Sequence, residues 1–171
     1  MRFDLLFTMG AWWRMERQLW PLADTEARLK ACVTKPEGIL QLCELLAILT
    51  NAAAEADRRP ERKAAEDIIG DLTVDTIPDA VKAAAVAIVD GMRVRSLAKQ
   101  KPQPVDVTLE ELNRRDRKNR DEWARIAGYG LIAGVQLADQ WTCQPGMLVD
   151  WYLQRQKYDD EQHQLRRKRK G

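Results

Sequence analysis

One imidazole, three thiols and a glycine-rich run are the residues of this chain that could do chemistry. His163 is the only histidine. It stands between Gln162 and Gln164, just ahead of five consecutive cations at 166–170, where a solvated ring is expected in place of the base of a Ser/His/Asp or Cys/His constellation. Cys32, Cys43 and Cys143 are an odd number without a CxxC pair, which argues against a disulfide scaffold and against a Cys/His zinc site. They read as small core residues of a reducing compartment. "GYGLIAG" departs from GxGxxG because Gly134 follows Gly130 by four positions, and nothing before it reads as a strand. Gly130 and Gly134 are instead one helical turn apart and, with Ala127 and Ala133, make a thin-walled helix against which another helix or an aromatic ring can lie. Asp159, Asp160 and Glu161 are contiguous, so on a helix they point in different directions and form a solvated face, not a carboxylate pair. No P-loop, HExxH or GxSxG is present. The expectation is a protein that is not an enzyme and carries no cofactor and no metal.

The six tryptophans point elsewhere. Trp12, Trp13 and Trp20 fall in one helical segment, and Trp123, Trp141 and Trp151 in the second half of the chain. Indoles bury much apolar area and seek one partner for the ring N–H. Six in 171 residues exceed what a small core readily encloses, so some are expected at protein contacts, where aromatic residues concentrate binding energy. The candidates are Trp12, Trp13, Met15, Leu19 and Trp20 in the first half, and Trp141, Pro145, Met147 and Trp151 in the second.

The elements that must position these residues are mostly helical. "RFDLLF" places Phe3, Leu5 and Phe7 at alternate positions and predicts a short N-terminal β element. In "AWWRMERQLWP", Trp12, Met15 and Leu19 share one helix face, Trp13 and Trp20 an adjacent stripe, and Pro21 ends the helix. Thr34 and Glu37 stand at capping-box spacing before a helix in which apolar residues fill almost every position from Ile39 to Leu49. That helix is expected to be buried on most sides. "DRRPERKAAEDIIGDLTVD" reads as a polar turn and a short helix stopped near Gly70. Thr76 or Asp75 caps a following alanine-rich helix with Pro78 in its first turn and close enough packing to meet the leucine-rich one. Two prolines in "SLAKQKPQPVDV" mark a linker. Thr108 and Glu111 then open a charged helix that turns apolar at Trp123, Ile126, Ala127 and Leu131, and a final helix follows Pro145. The reading is a small helical bundle at 1–97, a linker at 98–107, a helical docking module at 108–162 and a basic, disordered tail at 163–171.

Charge separates the rival function classes. Residues 1–98 carry net −2 and residues 99–171 net +4, the excess being the five cations at 166–170. Such a run can hold a phosphate backbone or an acidic partner. A helix–turn–helix over 121–153 would make the helix after Pro145 a recognition helix. It opens, however, with Met147, Leu148, Val149, Trp151 and Leu153, and has no base-reading polar side chain before Gln154 and Arg155. Nucleic-acid binding, as a packaging or regulatory factor, is therefore the alternative to protein binding. No signal segment opens the sequence and no apolar run approaches the length of a membrane span, which predicts a cytoplasmic protein without a membrane partner.

Two stretches carry a resemblance. "RFDLLFTMGAWWRMERQLWPLADTEARLK", with its central Glu16, followed by the leucine-rich helix and "AVKAAAVAIVDG", is similar to the tail assembly chaperones of long-tailed bacteriophages. "WARIAGYGLIAGVQLADQWTCQPGMLVDWYLQR" resembles the small helical extension of the longer, frameshifted form, in which Tyr129 and Gly134 precede Trp141 and a Pro-Gly turn, here Pro145 and Gly146. Met147 stands where the family has an acidic residue. The resemblance implies a chaperone that escorts the tape measure protein and recruits tail tube subunits; the candidates of the first half would then serve self-association or client contact. It also implies work in the host cytoplasm and absence from the mature virion. The short product would end near the linker.

Overall fold

Helix α3 (Pro36–Ala56) is the axis around which the chain is arranged in a computed structural model, which describes residues 4–60, 62–94 and 122–168. Leu42, Cys43, Leu45, Leu46, Ile48 and Leu49 are all buried in it, as their density predicts, whereas Leu40 is an exception on the exposed side. Four helices cover it: α1 (Met9–Gln18), α2 (Thr25–Thr34), α4 (Ala65–Ile69) and α5 (Ile77–Met92). By length and composition Glu37–Ala56 could cross a membrane. Here most of its apolar side chains are covered by neighbouring helices.

The boundary between α2 and α3 follows from one proline. Pro36 disfavours a helical conformation at the preceding residue, and Lys35 is extended, with φ −130° and ψ 136°. The expected Thr34 and Glu37 capping box is therefore not formed. Thr34 is the last residue of α2, and its hydroxyl donates to the Ala31 carbonyl at 3.2 Å. Helix α5 starts where Pro78 allows, and presents Ala80, Ala84 and Ile88 to the interior. Thr76 precedes it without capping it: its hydroxyl turns back, accepting from the Thr73 amide at 2.9 Å and donating to the Thr73 carbonyl at 3.0 Å.

The described residues are mostly helical and contain no strand, which corrects the expected N-terminal β element. Residues 4–8 form no regular element, and burial along them does not alternate: Leu5 and Leu6 are both half-buried, and Thr8 is buried as deeply as Phe7. The segment meets α3 instead of another strand, and the Leu6 amide bonds to the Leu49 carbonyl at 3.2 Å without a ladder. Phe3 lies outside the described residues.

Helices α6 (Glu122–Ile132), α7 (Leu137–Gln140) and α8 (Pro145–Lys168) complete the structure. Helix α6 packs along α8, and α8 meets α5. Ile126, Ala127 and Leu148 belong to the same buried cluster as Trp12 and the α3 leucines. Gly134 ends α6 with φ +92°. The Val135 amide reaches back to the Gly130 carbonyl at 2.9 Å and the Gly134 amide to Leu131 at 3.0 Å, the paired bonds of a Schellman cap that favours glycine at the left-handed position. Gly134 thus terminates the helix, while Gly130 packs: the Gln140 side-chain amide lies where a Gly130 Cβ would stand. The helix after Pro145 continues to Lys168, through the first part of the segment read as a tail. The linker at 98–107 and the Thr108 and Glu111 pair lie outside the described residues.

Candidate protein-docking surface

The site is built on the first turn of α1. A helix start leaves several backbone N–H groups without partners. Thr8 caps one of them, its Oγ1 accepting from the Ala11 amide at 3.1 Å. The Met9 and Gly10 amides donate to the carbonyls of Cys143 and Trp141, both at 2.9 Å, in the loop after α7. From the other side the Trp123 indole N–H donates to the Met9 carbonyl at 3.0 Å. Electronegative carbonyls at the positive end of the helix are favourable, and the bonds tie the C-terminal helices to α1. Gly10 makes the approach possible. A Cβ there would stand 2.6 Å from Trp141 Nε1.

Held in this way, Trp141 lies beside Trp13, with ring centroids 5.4 Å apart and planes inclined by 59°. Successive helical residues are about 100° apart, which is why Trp12 enters the core while Trp13 stays 39% exposed. One turn after Trp13, the Arg17 guanidinium sits 4.6 Å from its ring centroid. Arg14 lies 5.5 Å from the Trp141 centroid, and is oriented by a 2.8 Å bond to Glu55 Oε1. Beyond Arg14 a cleft of about 330 Å³ is lined by Gln18, Glu44, Ile48, Glu55 and Arg62 among others. Leu137, one turn before Trp141, is exposed. Tilted aromatic pairs are worth about 0.5–1.5 kcal/mol beyond their area, and exposed cation–π contacts roughly 0.5–1 kcal/mol. Together they hold Trp13 exposed and Trp141 half-buried beside it.

The other candidate residues divide by burial. Trp12, Met15 and Trp20 are interior side chains, so they do not belong to the surface expected of them. Their polar atoms are already committed: the Trp12 indole donates to Glu16 Oε1 at 2.8 Å, and Trp20 to Thr25 Oγ1 at 3.2 Å. Glu16 Oε1 also accepts from the Leu22 amide at 3.2 Å, pinning the turn after α1. Leu19 and Trp151 are partly buried against the core, and Pro145 is buried. Met147 is 37% exposed at the start of α8. Gly10, Arg14 and Arg17 were not singled out by sequence reasoning. For Arg17 a signal existed, since an arginine four residues after a tryptophan on a helix lies over the ring.

The remaining chemistry-bearing groups stay apart. Cys32 and Cys43 are buried and Cys143 half-buried, none in a disulfide. Burial raises all three thiols above their usual range; Glu44 adds to the effect at Cys43 and Asp139 at Cys143. His163 is exposed. Among the described residues no three His, Cys, Asp or Glu side chains are grouped to hold a metal. Comparison of the chain with protein-family models, curated proteins and solved structures gives no match.

Proposed function

We propose that this chain is a non-catalytic assembly chaperone of the kind its resemblance to the phage tail assembly chaperones implies. It would hold helical segments of a tape measure protein on the surface formed by Trp13, Trp141 and Arg17, and bring tail tube subunits to it. The observation that carries this reading is the pair of indoles at 5.4 Å, Trp13 exposed and Trp141 half-buried, with the Trp141 loop held on α1 by the Met9 and Gly10 amides. Rigid aromatic residues bind at little cost in conformational entropy, and exposed ones flanked by arginine are typical of contact hot spots. A long helical client needs shallow apolar docking strips of this sort. Action in the host cytoplasm and absence from the finished particle follow from the same reading.

Nucleic-acid binding is less well supported. A recognition helix must offer its first turns to a groove. At the start of α8, Pro145 is buried and Gly146 is packed on the Arg93 backbone. The test is coexpression with the tape measure protein. The intact chain should keep that client soluble and copurify with it, and Trp13→Ala/Arg17→Ala should lose the client while keeping its fold. Client recovery equal to that of the intact chain would overturn the assignment.

A further inference from the structure

Helix α8 extends well beyond the core it helps to build. Twenty-four residues make a helix about 36 Å long, and its packing is confined to its beginning. From 154 to 165 each side chain is exposed or only partly covered. The contacts within this stretch are local: Gln156 donates to the Tyr152 hydroxyl, Arg155 donates to Asp159 at 3.3 Å, and the Arg155 guanidinium lies 5.9 Å from the Tyr158 ring centroid. Tyr158 and Leu165 stand seven residues apart, 55% and 49% exposed, and so lie on one face. Glu161 falls between them on that face, three residues after one and four before the other. Asp160 points to the opposite side. Among the described residues Glu161 is in no ion pair, and neither is Arg17.

The two surfaces are complementary. One offers Trp13 and Trp141 with a cation, Arg17; the other offers Tyr158 and Leu165 with an anion, Glu161. Both stand on exposed helical elements. We propose that the α8 face of one copy docks on the Trp13/Trp141 surface of a second copy, with Glu161 of the first meeting Arg17 of the second. The inference rests on the reading that this surface takes a helix, and it names that helix as the chain's own. Such a contact joins different patches, so it is heterologous: the copy that gives its helix keeps a free surface, the copy that receives it keeps a free helix, and chains or rings form. A client helix competes for the same indoles. The contact is small, which places its affinity in the weak, micromolar class.

Sedimentation of the full chain over a range of concentrations, at low and high salt, tests this together with two variants. Trp13→Ala/Arg17→Ala removes the acceptor surface, and Tyr158→Ala/Glu161→Ala removes the docking helix face. All four positions carry exposed or partly exposed side chains outside the buried cluster, and far-UV dichroism verifies each fold. The intact chain should gain mass with concentration, less so at high salt, and each variant alone should remain a monomer. An equimolar mixture of the two should give a species of two chains that grows no further, because one partner contributes only a helix and the other only a surface. A monomeric intact chain at the highest concentration would overturn the proposal. So would variants that associate like the intact chain, or a mixture that stays monomeric, the outcome expected of a symmetric contact. Client capture is measured separately, so its loss without any change in self-association would count against the chaperone reading alone.

Discussion

Replacing Gly10 by alanine sets two effects of opposite sign against each other. Gly10 lies in the first turn of α1 with ordinary helical backbone, since Gly134 is the glycine with positive φ. Helix propensity alone makes Gly10→Ala stabilising by up to about 1 kcal/mol. Against this, the new methyl would lie 2.6 Å from Trp141 Nε1, 2.7 Å from Cε2 and 2.9 Å from Cδ1. Moving the indole costs about 1–3 kcal/mol by overpacking, and the 2.9 Å bonds from Met9 and Gly10 to the 141–143 loop are each worth roughly 0.5–1.5 kcal/mol net. The prediction is a net loss of about 1–3 kcal/mol in urea denaturation, with a changed near-UV dichroism from the Trp13/Trp141 pair. Gly128→Ala is the control. A Cβ at Gly128, in the middle of α6, meets nothing within 4 Å, so this change should stabilise by roughly 0.5–1 kcal/mol. If Gly10→Ala stabilises as much as Gly128→Ala and leaves the near-UV spectrum intact, the loop is not seated on α1 and the surface described above does not exist.

Other outcomes follow from the same physics. Arg58 closes α3 at φ 57°, with the Arg59 amide bonded to the Ala54 carbonyl at 2.7 Å. Arg58→Gly relieves a left-handed arginine and should raise stability by about 0.5–1 kcal/mol in thermal or urea melts. Gly146→Ala should destabilise by more than about 1 kcal/mol, because the clash is with the Arg93 backbone and not with a movable side chain. The buried thiols set an alkaline limit. Their folded pKa values are raised, so their contribution is full below the unfolded value of about 8.5 and is lost as pH rises through the folded one. Urea midpoints should hold near neutrality and fall above about pH 9, and fall less steeply in Cys32→Ala/Cys43→Ala; equal slopes in the two proteins would refute the thiol assignment.

The parts of the fold legible in the sequence were those whose signal is local. Apolar density marked α3, and Pro78 marked the start of α5, because proline constrains the chain wherever it stands. Helix α2 gave no such sign: its buried residues are Thr25, Leu29 and Cys32, three positions without a strong cap. The run before α1 alternates in sequence at Phe3, Leu5 and Phe7, but Leu6 is covered as much as Leu5 and Thr8 as much as Phe7, and among the described residues no strand lies beside it. The candidate surface was half legible. The Trp12, Met15 and Leu19 stripe was readable as one face, which leaves Trp13 on another. That Trp141 would join it depends on a glycine and two main-chain bonds linking residues more than 130 positions apart. No spacing rule carries that information.

The central claim is that the Trp13, Trp141 and Arg17 surface binds a protein helix. Its most direct test is the affinity of the purified chain for the tape measure protein, compared with that of Trp13→Ala, each verified as folded. Losing one interface tryptophan commonly costs about 2 kcal/mol, close to thirtyfold in Kd. A weakening of that order is the result predicted; an unchanged Kd, or no binding by the intact chain, would contradict it.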